Sequence, residues 1–469
     1  MVNADKSCAN PANRSSIRRR HRAEPTPQKK LSPRTPRCFP NLHSQPNMHL
    51  LPRLAFSLVL LGSGLRVATA ASTDWPQWHG PTRDCVIPVA AAPITALPKE
   101  LKPLWKVPAG GGFSAPLVAG GKVFFNDTDG TDEFAHLLDA KTGKELWKVA
   151  YAAAVGDEFG KGPRATASLD GDFAYVQSMS GEFRCLSLKD GKTVWGLSFD
   201  KDYKTPYLGA NAKAGTATRR GNNGSPVVDG DAVIIPVGAT DGATLVACDK
   251  LTGKVLWKSG TDEAAYSAVL VADLGGVRQI VHLNADALTG TDRKTGQLLW
   301  RTPVKTGAKR NTGSPVIIGD HVVINSFTLG LVSYKIAKSP GGWTATEDWA
   351  NKKLAINIAT PALLGDALYC QGPTKDFICA DAKTGVTKWS QPGFGSGRKD
   401  YASTLVSGKN LLVLTEDGTL LLLAANPEKY TELARLQVCG NTWSFPAYAD
   451  GKLFVRDARE LACIDLGGK

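Results

Sequence analysis

The side chains best suited to bind a ligand in this 469-residue chain lie in short loops that each precede an apolar strand. Several are arginines, whose guanidinium groups can hold an anion or stack on an aromatic ring. Together with nearby aromatic and amide side chains they would suit an anionic or planar ligand, and also a peptide strand. The candidate binding residues are Arg164, Asn223, Tyr266, Arg310, Asn311, Arg398, Tyr401 and Trp443.

Groups that could carry out metal or nucleophilic chemistry are sparse. The carboxylates that can be placed near these loops, Asp157, Glu158 and Asp400, form no obvious metal cage, and the histidines after residue 70 stand singly, without metal-ligand spacing. The sequence has no G-x-S-x-G, phosphate-loop or zincin motif. We therefore expect a binding site without a metal and assign no catalytic residue.

The strands that follow these loops belong to a repeat. The phrase LDAKTGKELW at 138–147 recurs as CDKLTGKVLW at 248–257, TDRKTGQLLW at 291–300 and ADAKTGVTKW at 380–389. Each copy reads as an apolar strand, an Asp, a Thr-Gly turn and a second strand that ends on Trp. The pattern predicts a hairpin in which Gly takes a positive φ and the Asp side chain bonds the amides of the turn.

A second marker, a glycine turn between two apolar strands, occurs eight times at intervals of 43 to 59 residues. The turn glycines are Gly120, Gly171, Gly230, Gly275, Gly319, Gly365, Gly408 and Gly451. Eight such units predict an all-β fold over residues 101–469, an eight-bladed β-propeller of four-stranded antiparallel blades. The last blade lacks an outer strand, so we expect LKPLWKV at about 101–107 to close the ring there.

The tryptophans of the repeat are predicted to pack one blade on the next rather than to bind a ligand, because a buried indole removes roughly 150–250 Å² from water. The residues predicted to dock the blades are Trp105, Trp147, Trp195, Trp257, Trp300, Trp349 and Trp389.

The phrase D-x-x-T-G-x-x-x-W resembles the pyrroloquinoline-quinone (PQQ) repeat, and the resemblance covers about residues 101–466. The segment DWPQWHGPTRD at 74–84 is similar to the W-P-Q-W-R-G-P signature of secreted PQQ-like propellers of the planctomycete type, with His79 where Arg is usual. The PQQ repeat is shared by quinoprotein alcohol and sugar dehydrogenases and by propellers without known redox activity. The latter include the propeller lipoprotein of the outer-membrane β-barrel assembly machinery.

The resemblance implies two alternative functions. The first is an exported binding or scaffold module that needs no cofactor and holds a protein, peptide or glycan. The alternative is a PQQ-dependent dehydrogenase that oxidises an alcohol or sugar with PQQ and Ca²⁺. The alcohol class also carries adjacent cysteines over the cofactor and often a C-x-x-C-H haem motif, and this sequence contains neither.

Residues 1–70 read as a leader. Residues 1–47 are predicted to be disordered or to precede the true start, and 48–70 resemble a signal peptide whose apolar run is too short to span a bilayer. Residues 1–70 carry twelve Lys/Arg and two Asp/Glu, so +10 of the net charge of +13 belongs to the leader. We therefore predict no nucleic-acid partner. Cleavage near Ala70 would leave an extension, 71–100, and a monomeric propeller in the periplasm or outside the cell.

Seven cysteines follow residue 70, an odd number that argues against a complete disulfide framework. Most are expected to be small buried strand residues. Cys370 and Cys379 flank the turn QGPTKD and could face each other across it, so a disulfide between them remains open at this point.

Overall fold

The structure is a computed structural model that describes residues 73–211, 220–307, 309–394 and 401–467. Eight four-stranded antiparallel sheets make up almost all of it, which confirms the predicted all-β, eight-bladed propeller. We number the blades 1 to 8 in chain order. Outside the blades lie a short hairpin, Gly156–Asp157 with Gly160–Lys161, a helix, Phe199–Tyr203, and a 3₁₀ turn, Gly209–Asn211.

The strands of each blade follow one another from the channel outward. The first strands of blades 1 to 8 are Leu117–Ala119, Ser168–Asp170, Val227–Asp229, Leu270–Leu274, Val316–Ile318, Ala362–Leu364, Ala402–Ser407 and Ala447–Ala449. The second strands are Lys122–Thr128, Phe173–Gln177, Ala232–Ala239, Val277–Leu283, His321–Ser326, Ala367–Gln371, Asn410–Thr415 and Lys452–Arg456. The third strands are Asp132–Asp139, Glu182–Ser187, Ala243–Asp249, Ala287–Asp292, Gly330–Ser339, Asp376–Asp381, Thr419–Ala424 and Glu460–Asp465. The fourth strands are Glu145–Ala153, Thr193–Ser198, Val255–Ser259, Leu298–Pro303, Gly342–Asn351, Thr387–Pro392, Glu432–Gln437 and, in blade 8, Pro103–Pro108.

The eight first strands surround the central channel, and first strands of neighbouring blades contact each other in several places. We call the end of the channel where these strands begin the mouth, and the loops that lead into them the mouth loops. The opposite end, where the marker glycines turn into the second strands, is the far end. The second and third strands are largely buried, and the apolar core lies between successive blades.

Blade 8 is completed from the other end of the described chain. Pro103–Pro108 pairs antiparallel with Glu460–Asp465, with Trp105 opposite Cys463. The fully buried Arg456 reinforces this joint, since its guanidinium donates to the backbone carbonyls of Asn126 and Gly110 in and before blade 1. Burial lowers the pKa of Arg456 to about 10. The ring is therefore joined by a strand pair and by a buried cation that is bound to main-chain oxygens.

The repeated phrase forms the turn between third and fourth strands, as predicted. In blade 1, Asp139 Oδ1 accepts hydrogen bonds from the amides of Lys141 and Thr142 at 3.1 and 2.8 Å, and Gly143 has a φ of 72°. The indole of the preceding blade lies on that glycine, because a Cβ built on Gly143 would lie 2.7 Å from Trp105. Trp105 Nε1 also donates to the carbonyl of Ala140 at 3.0 Å.

The same indole arrangement recurs in most of the blades. Trp147, Trp195, Trp257 and Trp389 each donate to a carbonyl of the next blade, at 2.9 to 3.1 Å. Trp300 instead donates to Gln279 Oε1 of its own blade at 2.7 Å. The next blade has no Thr-Gly turn to receive it, so its indole packs over Gly290 and in the cluster between blades 4 and 5.

The cysteines that follow residue 70 are all buried and unbridged. A disulfide between Cys370 and Cys379 is excluded by the strand register. Cys370 pairs with Ile378, and Cys379 pairs with Tyr369. Because successive residues of a strand point to opposite faces, the two thiols lie on opposite sides of blade 6.

The N-terminal extension runs through the channel, and we call residues 74–94 the channel segment. It starts at the far end, where Asp74 accepts from the amide of Gly120, and Trp75 then bridges antiparallel to Val118 of blade 1. It turns back near Gly80 and returns along blade 7, where Val86 bridges parallel to Val406. No helix in the described ranges is long and apolar enough to cross a membrane.

Candidate functional site

All eight mouth loops contribute to one pocket of about 160 Å³, which we call the mouth pocket. The loops converge because the first strands that follow them surround the same channel. Six of the predicted binding residues line this pocket: Arg164, Asn223, Tyr266, Arg310, Tyr401 and Trp443. Arg398, the seventh, lies outside the described residues.

Asn311 was predicted to bind a ligand, but it is not among the residues that line the mouth pocket. Its side chain is 1 % exposed, and Nδ2 donates to the backbone carbonyl of Asn284 at 2.7 Å. The amide holds a mouth loop against the blade before it. Gln177 does the same elsewhere, since Nε2 donates to the carbonyls of Asn222 and Gly224 at 3.1 and 3.0 Å.

The channel segment supplies one wall of the mouth pocket. Trp78 and His79, at its turn, both line the pocket. Trp78 Nε1 donates to Ser314 Oγ at 3.1 Å, and its ring stacks on His79 at 4.4 Å. Burial lowers the pKa of His79 to about 3, so this imidazole is neutral at physiological pH. The turn places His79 at a φ of 62°, in the left-handed region that side chains other than glycine seldom adopt.

Sequence reasoning missed these two residues together with Phe159, Arg220 and Phe445. Phe159 lies in the short hairpin after blade 1, and Phe445 follows the predicted Trp443. The WPQWHGP phrase did mark Trp78 and His79 as part of a motif. Trp78 and His79 reach the pocket because of the path that the channel segment takes. That path cannot be predicted from the repeat, because the segment lies outside it.

Three guanidinium groups face the mouth pocket, and two are paired with carboxylates. Arg164 forms a two-pronged ion pair with Asp157, with Nη1 to Oδ2 at 2.8 Å. Arg220 binds Glu158, with Nε to Oε1 at 2.8 Å, and lies 3.8 Å from Asp157. Arg310 differs from both, because within the described ranges its buried Nε has no hydrogen-bond partner and no carboxylate pairs with it.

Aromatic rings surround these cations. Arg164 lies over the ring of Phe113 at 5.3 Å, Arg220 over Phe159 at 5.5 Å, and Arg310 over Phe327 at 5.7 Å. The ring of Trp443 lies 5.0 Å from that of Phe113 and 5.8 Å from that of Phe159. The arrangement can bind a flat or apolar group and an anionic group side by side.

The electrostatics of the pocket favour a negative ligand. Burial and the positive charge of the neighbouring Arg220 lower the pKa of Arg310. The nearby negative charges therefore do not fully offset these two effects. Burial raises the pKa of Tyr266 to about 12, so its hydroxyl stays neutral and can donate or accept a hydrogen bond. Tyr401 is 6 % exposed, and its hydroxyl shares a hydrogen bond of 2.9 Å with Ser403 Oγ. It therefore forms part of the pocket wall, and its hydroxyl is already hydrogen-bonded.

The fold and the pocket define a β-propeller of the PQQ-repeat class with a concave pocket at its mouth. The chain belongs to the family described as outer membrane protein assembly factor BamB, whose profile matches residues 131–391. The BamB protein of Burkholderia pseudomallei is 24% identical over 361 residues, which cover 68% of this chain and 87% of that protein.

A solved BamB structure shares the architecture. The crystal structure of BamB from Moraxella catarrhalis superposes with a TM-score of 0.50 at 14% identity, covering 79% of this chain and 98% of that one. The quinohemoprotein alcohol dehydrogenase from Comamonas testosteroni gives a TM-score of 0.46 at 15% identity, covering 86% of this chain and 82% of that one. At 14% identity, the similarity to BamB from Moraxella catarrhalis shows a common fold and nothing more specific.

Proposed function

We propose that this chain is an exported binding module that holds a polypeptide partner at the mouth of the propeller and carries out no redox chemistry. The observation that carries the proposal is the make-up of the mouth pocket. Its rings and guanidinium groups are suited to recognition, and its nearby carboxylates are bound to arginines. The name of its relatives, outer membrane protein assembly factor, supports a polypeptide partner in the cell envelope.

The signal-peptide resemblance of residues 48–70, which lie outside the described residues, supports export. Cleavage near Ala70 would release the propeller into the periplasm or beyond it. Because the ring closes on itself within one chain, we expect it to act as a monomer.

The alternative function, a PQQ-dependent dehydrogenase, fits these residues poorly. PQQ is a three-ring tricarboxylate that works beside a Ca²⁺ ion, which takes six to eight oxygen ligands. No group of three or more His, Cys, Asp or Glu within the described ranges could hold a metal ion. Asp157 and Glu158, which would have to act as ligand or base, are bound to Arg164 and Arg220.

A photo-crosslinking experiment tests the proposal directly. The photoreactive residue p-benzoylphenylalanine replaces Phe159 at the pocket in a chain starting at residue 71, and an unfolded outer-membrane β-barrel polypeptide is diluted into the sample from urea. We expect a crosslinked adduct that excess unlabelled polypeptide removes. The control places the same residue at Leu433, which is 48 % exposed on the fourth strand of blade 7.

Two results would contradict the proposal. One is an equal yield of adduct from positions 159 and 433, which would mean unspecific contact. The other is stoichiometric binding of PQQ with Ca²⁺, detected by its absorption spectrum, together with dye-linked oxidation of alcohols or sugars.

A further inference from the structure

Arg310 carries a positive charge that the described part of the mouth pocket does not compensate. Arg164, Arg220 and Arg310 bring three positive charges, and Asp157 and Glu158 bring two negative ones, so one positive charge is left over. His79, which also lines the pocket, adds no charge, because burial lowers its pKa to about 3. An Arg fork matches the two oxygens of a carboxylate.

The unpaired guanidinium lies among aromatic groups rather than in open solvent. Phe327 lies beneath it at 5.7 Å, and Tyr266, Trp443 and Trp78 line the same pocket. Burying a charged donor without a partner costs free energy, and an anion bound in the pocket beside the guanidinium of Arg310 would offset that cost. The rings would simultaneously remove an apolar group of the ligand from water.

The size of the pocket limits that apolar group. An engineered protein cavity of about 150 Å³ with apolar walls holds one benzene molecule. The mouth pocket has a volume of about 160 Å³, so it has room for one ring. Among the described residues, the charge left over matches one carboxylate.

We propose that the mouth pocket binds a carboxylate carried on a single aromatic ring or an apolar group of similar size, with Arg310 as the group that binds the anion. The inference rests on the proposed function in that it places the binding site at the mouth, and it names the ligand chemistry of that site. The carboxylate can come from a free aromatic acid or from the end of a polypeptide chain.

Calorimetric titration of residues 71–469 tests the inference with 3-phenylpropionate, its uncharged amide and inorganic phosphate. The acid is expected to bind with a Kd on the order of 0.1–1 mM, as suits a ligand of this size, and the amide and phosphate at least about tenfold more weakly. A tripeptide ending in Phe, with a free or an amidated C-terminus, distinguishes the two sources. Tighter binding of the free-ended tripeptide than of 3-phenylpropionate assigns the carboxylate to a chain end, and the reverse assigns it to a free acid.

Two variants test whether Arg310 is the group that binds the carboxylate. Arg310→Met is expected to weaken binding of the acid at least about tenfold and to leave binding of the amide unchanged. Arg435→Met removes the same charge at a side chain that is 66% exposed on the fourth strand of blade 7, and it should bind like the parent. Unchanged melting curves for both variants show that the fold is intact.

Equal binding of acid and amide by the parent protein would overturn the inference even if Arg310→Met failed to fold. Phosphate binding as tight as acid binding would overturn it too, since the rings would then contribute nothing. If no acid binds while crosslinking at position 159 succeeds, the carboxylate inference fails and the proposed polypeptide-binding function stands.

Discussion

Glu133 is a buried carboxyl group between blades 1 and 2, and two neutral groups hold it. Its oxygens accept hydrogen bonds from Tyr151 Oη at 2.7 Å and from the amide of Met179 at 3.1 Å. Desolvation raises the pKa of Glu133 to about 7. The folded protein therefore retains a proton on Glu133 at pH values where the unfolded chain has already lost it.

This difference predicts a pH dependence of stability. The folded pKa is about 7 and the ordinary value is 4.5, so the contribution of Glu133 is fully present below pH 4.5 and is lost as the pH rises through 7. Glu133→Gln, measured by urea unfolding from pH 4.5 to 8, should remove a decline on the order of 3 kcal/mol. Glu428→Gln, at an exposed position, is the control and should keep the parent slope. Identical slopes for Glu133→Gln and the parent would contradict the assignment.

At the residue scale, the sequence predicts the pocket residues whose place is set by the repeat. It misses those whose place is set by contacts between distant parts of the chain. Arg310 and Tyr266 were predictable because each precedes a first strand that a turn glycine marks. Asn311, the neighbour of Arg310, does not line the pocket, and its side-chain amide donates to the carbonyl of Asn284. Trp78 reaches the pocket only because Trp75 pairs with Val118, more than forty residues further along the chain.

Among the elements, the fourth strands show how the repeat tolerates variation. Most carry an indole that lies on the next blade, whereas in blade 7 Ala434 occupies the place opposite Leu422. Exposed aliphatic side chains precede several of these indoles, and Leu104 and Leu146 are 49 % and 48 % exposed. The strand count was predictable from glycine spacing, but the altered partner of Trp300 was not, because it depends on a turn that blade 5 lacks.

The closing strand Pro103–Pro108 provides a test at the element scale. Trp105→Ala should lower the free energy of unfolding by about 3–5 kcal/mol, because it removes a buried indole and its bond to Ala140. Deletion of residues 101–107 should lower the melting temperature further, since it also exposes the edge of Glu460–Asp465. Leu104→Ser, on the exposed face of the same strand, should change stability by no more than about 0.5 kcal/mol. An unchanged melt after the deletion would show that the ring does not depend on this strand.

For the whole molecule, the seven cysteines that follow residue 70 show how completely the blades pack. Burial raises the pKa of the thiols of Cys185, Cys248, Cys439 and Cys463 to about 12. Such thiols are poor nucleophiles because the thiolate is the reactive form. An exported protein with only buried, unbridged cysteines would keep them reduced through burial alone.

Thiol titration of residues 71–469 checks this packing. The native protein should react with none of its seven thiols on a time scale of minutes, and the protein in guanidinium should react with all seven. Fewer than seven in guanidinium would reveal a disulfide that contradicts the strand register of blade 6. Cys370→Ala should lower the denatured count by one and leave the native count at zero.

The path of the N-terminal part through the channel and into blade 8 also sets an order of events in time. Gly110 and Arg456 are separated by 346 positions in the chain, and Lys106 and Glu460 by 354. Synthesis begins at the N-terminus and proceeds at about 5–20 residues per second, so roughly 20–70 s separate the appearance of these partners. Throughout that interval the indole of Trp105 lacks its native neighbour Phe454 in blade 8, and we expect closure of the ring, the most non-local contact, to be the last step of folding.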